Sequence, residues 1–235
     1  SITFTPEGTF EIDSVVSGMT DSVATKSATA LTGGDESLIS QLWVGQYDTS
    51  GNQVFSHYIS PVTGTTVNLK LKESGEATHH VWFVANCDDL GEIATETALK
   101  EHVFTYASTV DGLPDSGLCG MTGMWSGVIR DNGVESIGVD MTRTVAKISF
   151  SYLIGGDGFS FKPSSVKLKS VPNKIRMEET TTQLTDVTYG EYTGEADANG
   201  ATMHWYLPEN RAGVVTGENA AASEKEKTGR GVSNA

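Results

Sequence analysis

The chain has 235 residues, with 30 acidic against 16 basic side chains and a formal net charge of -14. That balance argues against nucleic-acid binding, which needs a basic footprint, and no stretch approaches the length of a membrane-crossing helix. Hydrophobic residues make up 37%, and 26 Gly against 6 Pro predict many turns, so the length fits one large β domain or two small ones.

Ser1 opens directly in a β-like segment, as a mature product trimmed of its leader would. Residues 1–23 hold two extended candidates. Ile2 and Phe4 alternate with Thr3 and Thr5; after Pro6-Glu7-Gly8, Phe10, Ile12 and the pair Val15-Val16 stand between polar neighbours. Lys26 is the first basic residue, in the small, polar stretch ATKSATALTGGDES, which reads as an exposed loop that a protease can reach. By composition alone Lys26 is an ordinary surface lysine.

Residues 38–47 (LISQLWVGQY) and 53–59 (QVFSHYI) flank a turn at Asp48-Thr49-Ser50-Gly51-Asn52 and predict a hairpin. Val67, Leu69 and Leu71 alternate with Asn68, Lys70 and Lys72, the pattern of a half-buried strand. The densest apolar run is Val81-Trp82-Phe83-Val84-Ala85, within HHVWFVANCDDL. A short run without polar alternation predicts a central strand covered on both faces. A helix is expected over 91–106, with Leu99, Val103 and Tyr106 on one face. Residues 112–141 are Gly-rich with scattered apolar pairs, and Gly117, Gly120 and Gly123 read as sheet-edge or loop glycines. Residues 141–152 (MTRTVAKISFSY) form one alternating strand, with Ala146, Ile148, Phe150 and Tyr152 on one side. Gly155-Gly156-Asp157-Gly158 is the best linker candidate. Strands are expected again at 165–171 and 202–207, with weak β character at 180–193, and a polar tail follows Gly217. Strands dominate over a single helix, which predicts a β-sandwich.

No catalytic constellation emerges. Gly123 to Gly127 lacks the spacing of a nucleophile elbow, and Gly117, Gly120 and Gly123 lack phosphate-loop spacing. His79 and His80 are adjacent, so in a strand they point to opposite faces. Asp88, Asp89 and Glu92 could hold calcium, but they better suit a solvated strand end or the first turn of a helix. Trp43, Trp82, Trp125 and Trp205 lie in or beside apolar runs, where packing is the default over sugar stacking. Cys87 and Cys119 read as small buried hydrophobes; export would permit a disulfide, but their spacing does not establish one.

The order of motifs carries more than any one of them. Gly34-Asp35-Glu36-Ser37 precedes LWVGQY, then come VWFVAN at 81–86, the helix pattern, and Arg143-Thr144-Val145-Ala146-Lys147-Ile148-Ser149-Phe150. This series resembles the Bacteroidetes fimbrillin family, the type V pilins of the FimA and Mfa kind. The resemblance spans roughly residues 20–213, and YLPENRAG at 206–213 is similar to a segment of larger, tip or accessory members. It implies an all-β chain of two tandem transthyretin-like β-sandwich domains: 1–154, with one short helix, and 155–235, incomplete here. It implies a fimbrial subunit without enzymatic activity or cofactor, made as an outer-membrane lipoprotein precursor and displayed on the cell surface. Its partners would be other pilin subunits, a trypsin-like processing protease, the outer membrane through a lipid anchor, and a host glycan or protein, with no nucleic acid.

In such a protein residues 1–26 form a removable first strand and cleavage loop. Lys26 stands where the family is cut, although the best-known residue there is Arg. Phe10, Ile12, Val15 and Val16 are the side chains expected to fill the groove that a donor strand later takes, a form of strand addition. The alternative is a cell-surface carbohydrate-binding β-sandwich, which requires Trp43 or Trp125 to be exposed.

Overall fold

A computed structural model describes residues 2–6, 35–64, 66–105, 113, 117–130, 137–153, 163, 165–178, 184–194 and 200–208. The linker candidate at 155–158, the tail after 217 and the predicted site residues between 10 and 26 lie outside them. Strand β1 is Ile2–Pro6, and a single 3-10 turn at Asp35–Ser37 precedes β2 (Leu42–Tyr47), β3 (Gln53–Ile59), β4 (Thr66–Val67) and β5 (Thr78–Ala85). Helix α1 is Glu96–Lys100, followed by β6 (Val103–Thr105), β7 (Met121–Val128), β8 (Ile137–Arg143) and β9 (Val145–Leu153). The remaining strands are β10 (Val166–Pro172), β11 (Lys174–Arg176), β12 (Tyr189–Gly194) and β13 (Gly200–Pro208).

The main sheet has seven strands in the order β3-β2-β5-β7-β8-β1-β4. Strand β5 is central, antiparallel to β2 on one side and β7 on the other, as its unbroken apolar run predicts. Both of its faces are covered. Val81, Phe83 and Ala85 join Leu42, Val44, Met121, Val139 and Met141 in one core. Trp82 and Val84 join Trp43, Tyr47 and Leu99 in another, beneath α1. Successive side chains point to opposite faces, so only a strand with two cores explains why alternation is missing.

Several elements differ from the sequence pattern. Part of the Gly-rich stretch is strand: β7 pairs with β5 from Met121 to Val128. Gly123 is required by proximity, since a Cβ there would lie 2.6 Å from Met141 Sδ and 2.7 Å from the Asp140 carbonyl. The predicted helix shrinks to five residues. Thr95 caps it, accepting from the Ala98 amide at 3.1 Å, and Leu99 is buried. Val103-Phe104-Thr105 then extends to pair with β11, as β-branched and aromatic residues favour when a partner strand is at hand.

The strand expected over 67–71 is reduced to β4. Beyond it the Gln46 side chain stands in for a neighbouring strand: its Oε1 accepts the Lys72 amide and its Nε2 donates to the Lys72 carbonyl, both at 2.8 Å. Nε2 also donates to His79 Nδ1 at 2.8 Å, which fixes that nitrogen as an acceptor. Leu69 and Leu71 still pack on the core.

The single strand expected over 141–152 breaks at Thr144, whose amide and hydroxyl both donate to the Gly120 carbonyl, at 2.9 and 3.1 Å. Strand β8 stays in the main sheet, while β9 pairs with β13 over nine register positions, from Val145–Pro208 to Leu153–Gly200. Strands β10 and β12 form a further antiparallel pair, and Val171, Met203 and Trp205 make a core between the two pairs. Ile148 and Phe150, on the face of β9 that carries Tyr152, remain 40% and 42% exposed. A fourth cluster, of Leu113, Cys119, Val145, Ile175 and Tyr206, ties β9, β11 and β13 to the end of the main sheet. Both cysteines are free, and burial pushes the Cys87 thiol up to about 12 and the Cys119 thiol up to about 11.

Candidate functional site: the slot of the first strand

Strand β1 lies inside the main sheet, not at its rim. It runs parallel to β8 over five register positions, from Ile2 opposite Ile137 to Pro6 opposite Met141. On its other side it is antiparallel to β4, with Ile2 opposite Val67 and Thr3 opposite Thr66. Neighbouring strands sit about 4.8 Å apart, so β8 and β4 flank a slot roughly 10 Å wide that one extended chain fills. Strand β8 supplies an alternating wall: Ile137, Val139 and Met141 are buried, and Gly138, Asp140 and Thr142 are exposed. Those three buried residues and Val67 of β4 belong to the core beneath β5. Withdrawing β1 would strip the pairing from one edge of β8 and open a path to that core.

The chain returns to the same end of β8 from which β1 leaves. Pro6 pairs with Met141, and two residues further along, Arg143 Nε donates to the Glu36 carbonyl at 3.2 Å. Arg143 also reaches Ser37 Oγ at 3.4 Å. The Glu36 carboxylate is buried, and its Oε1 accepts from Lys147 Nζ at 2.7 Å and from the Tyr206 hydroxyl at 3.1 Å. One residue therefore gathers β8, β9 and β13.

A second fastening follows at once. Asn86, buried at the end of β5 with φ 57°, accepts from the Ser40 amide at 3.0 Å and donates to the carbonyls of Leu38 and Cys119 at 2.8 and 2.7 Å. The backbone amide of Asn86 adds a bond to the Gln41 carbonyl at 2.9 Å.

No group of three His, Cys, Asp or Glu side chains is arranged to hold a metal among the described residues. Asp88 and Asp89 are exposed at the strand end, where Asp89 Oδ1 accepts the Gly91 amide. His80 and Trp82 serve a different acid: Glu96 Oε1 accepts from Trp82 Nε1 at 2.9 Å and from His80 Nδ1 at 2.9 Å, with Lys100 Nζ at 3.5 Å. These contacts dock α1 on the sheet. Trp43, Trp82 and Trp205 are buried, and Trp125 is half-buried, its ring lying where a Cβ on Gly127 would stand.

No family model matches the chain, and no curated protein sequence does. Solved structures do. A fimbrial assembly protein from Parabacteroides distasonis is 15% identical with a TM-score of 0.50, over 79% of this chain and 74% of that one. A candidate cell-adhesion protein from Bacteroides eggerthii is 13% identical with a TM-score of 0.52, over 89% and 70%. A candidate polysaccharide-binding protein from Bacteroides thetaiotaomicron is 8% identical with a TM-score of 0.50, over 76% and 67%.

The chain shares the all-β sandwich fold of these fimbrial assembly and cell-adhesion structures. Within that fold the motifs that carried the sequence resemblance converge. Glu36 and Ser37 from the segment 34–37, Arg143 and Lys147 from the segment 143–150, and Tyr206 from YLPENRAG meet at the one junction. Pattern reading found these residues only as an ordered series and assigned Glu36 no role. Its only local signal is an acid in a polar, Gly-bearing loop. Of the residues predicted to act, Phe10, Ile12, Val15, Val16 and Lys26 all lie outside the described residues, whereas the first of the two extended candidates is β1.

Proposed function

We propose that this chain is a fimbrial subunit precursor, a structural protein without enzymatic activity, and that it assembles by giving up its first strand. The observation that carries the reading is the position of β1 between β8 and β4. Strand β1 is joined to the rest of the described fold through residues 7–34 alone. While that link is whole, the strand meets its slot at an effective concentration on the order of millimolar. A cut after Lys26 turns the same contact into a bimolecular one, which dilution opposes. The emptied slot then presents an unpaired edge of β8 above Ile137, Val139 and Met141, a template for a strand from another subunit. Burying one such side chain is worth about 1.5–3 kcal/mol, so an incoming strand with matching alternation gains by binding.

In this reading Phe10, Ile12, Val15 and Val16 are the side chains that fill the groove. A trypsin-like protease cuts at Lys26, other pilin subunits supply the donor strand, and the precursor is held at the outer membrane by a lipid anchor before it joins a cell-surface fimbrium that adheres to a host glycan or protein. We also propose the two-unit organisation, 1–154 and 155–235, with β9 pairing across the junction to β13. The carbohydrate-binding alternative needs an exposed aromatic platform, and the burial of Trp43 and the half-buried ring of Trp125, packed over Gly127, do not favour it.

Brief trypsin digestion of the native chain, followed by mass mapping, tests the reading. The first cut is expected at the Lys26–Ser27 bond and is expected to be lost in Lys26→Ala. An early cut elsewhere, with Lys26 left intact, would contradict it.

A further inference from the structure

The Glu36 junction stands where a cut chain needs a fixed point. We infer that Glu36 is the stop that keeps the retained part of the chain in place once the bond after Lys26 is cut, an inference that rests on the cut proposed above. After that cut the retained chain begins at Ser27, nine positions before Glu36. A free end frays inward until it meets interactions that fraying must break. Glu36 is the first described side chain to offer them. Its carboxylate is held by Lys147 and Tyr206, its carbonyl by Arg143. None of these donors belongs to β1, so releasing residues 1–26 removes none of the bonds.

The location matters as much as the bonds. Arg143 lies two residues beyond Met141, the partner of Pro6. The stop therefore sits at the mouth through which β1 leaves. Behind it, Asn86 fastens Leu38 and Ser40, and β2 begins at Leu42. Fraying past Glu36 would carry a buried acid away from its partners and expose the start of β2, the neighbour of central β5. Held at Glu36, the chain loses one strand and keeps the sheet that must receive the next.

Amide hydrogen exchange read by mass spectrometry tests this on the full chain before and after cutting. In the wild type, exchange at residues 36–41 is expected to stay within twofold on cutting. In Glu36→Gln it is expected to rise at least tenfold in the cut chain and less than threefold in the uncut one. Tyr206→Phe, which loses the hydroxyl that donates to Glu36, should show the same cut-dependence at several-fold and serves if Glu36→Gln does not fold. An equal rise in cut and uncut chains would reduce Glu36 to ordinary structural support and overturn the inference, as would no rise in either. A specific protease site inserted after Lys26 separates the two claims. If trypsin spares Lys26 in the wild type, the processing reading fails, and the inserted site still reports whether Glu36 acts as the stop.

Discussion

Asn86 shows how much one side chain holds at this sheet's end. Its amide satisfies one donor and two acceptors from two separate segments, 38–40 and Cys119, and its backbone sits in the left-handed region, which Asn tolerates better than most residues. Asn86→Ala leaves those groups without their partner and keeps a backbone that Ala adopts poorly. A loss of about 3 kcal/mol in urea unfolding is expected. Glu96 gives a pH-dependent counterpart. Burial pushes its carboxyl up, but hydrogen bonds from Trp82 and His80 and the charges of His80 and Lys100 outweigh that and hold it below the usual glutamate range. A depressed carboxylate contributes stability that is fully present above its unfolded value, about 4.3, and lost as pH falls through the lower folded one. The difference in unfolding free energy between wild type and Glu96→Gln should therefore shrink between pH 6 and pH 3; a constant difference would mean that the charge contributes nothing. Neither residue was legible as important in the sequence. Asn86 reads as the end of an apolar run and Glu96 as one acid among thirty, because both act on groups distant in the chain.

At the scale of elements, strands that lie wholly within one layer were legible, and strands defined by their neighbours were not. The run at 81–85 specifies a central strand because it can only be satisfied by two cores. The alternation over 141–152 survives a break at Thr144, because apolar residues keep the same spacing in β8 and β9 while the chain passes from one sheet to another. Gly123 was misread for a related reason. Glycine weakens an isolated strand, but here it lets β7 approach β8. Gly123→Ala is expected to cost about 2–3 kcal/mol, since the clash involves the Asp140 backbone as well as a side chain. Gly138→Ala, in β8 with no atom within 4 Å of the added Cβ, should change stability by less than about 0.5 kcal/mol. Thermal unfolding of the pair checks whether close strand contact, rather than glycine itself, is what position 123 requires.

For the whole molecule, an all-β sandwich and the order of its segments were legible in the residues, but not the place where three of those segments meet. Glu36 is 111 residues from Lys147 and 170 from Tyr206 in sequence, and no periodicity reports a contact at that range. The slot was legible only as a strand-like segment ahead of a polar stretch that reads as a loop; its position between β8 and β4 is set by pairing with strands distant in the chain. We propose that β1 occupies a place another subunit's strand can take. Sedimentation velocity of the chain cut after Lys26, with and without an excess of the peptide comprising residues 1–26, tests it most directly. The cut chain alone should sediment as multimers, and the peptide should return it toward monomer by refilling the slot. A cut chain that sheds residues 1–26 and still sediments as a stable monomer would contradict the account.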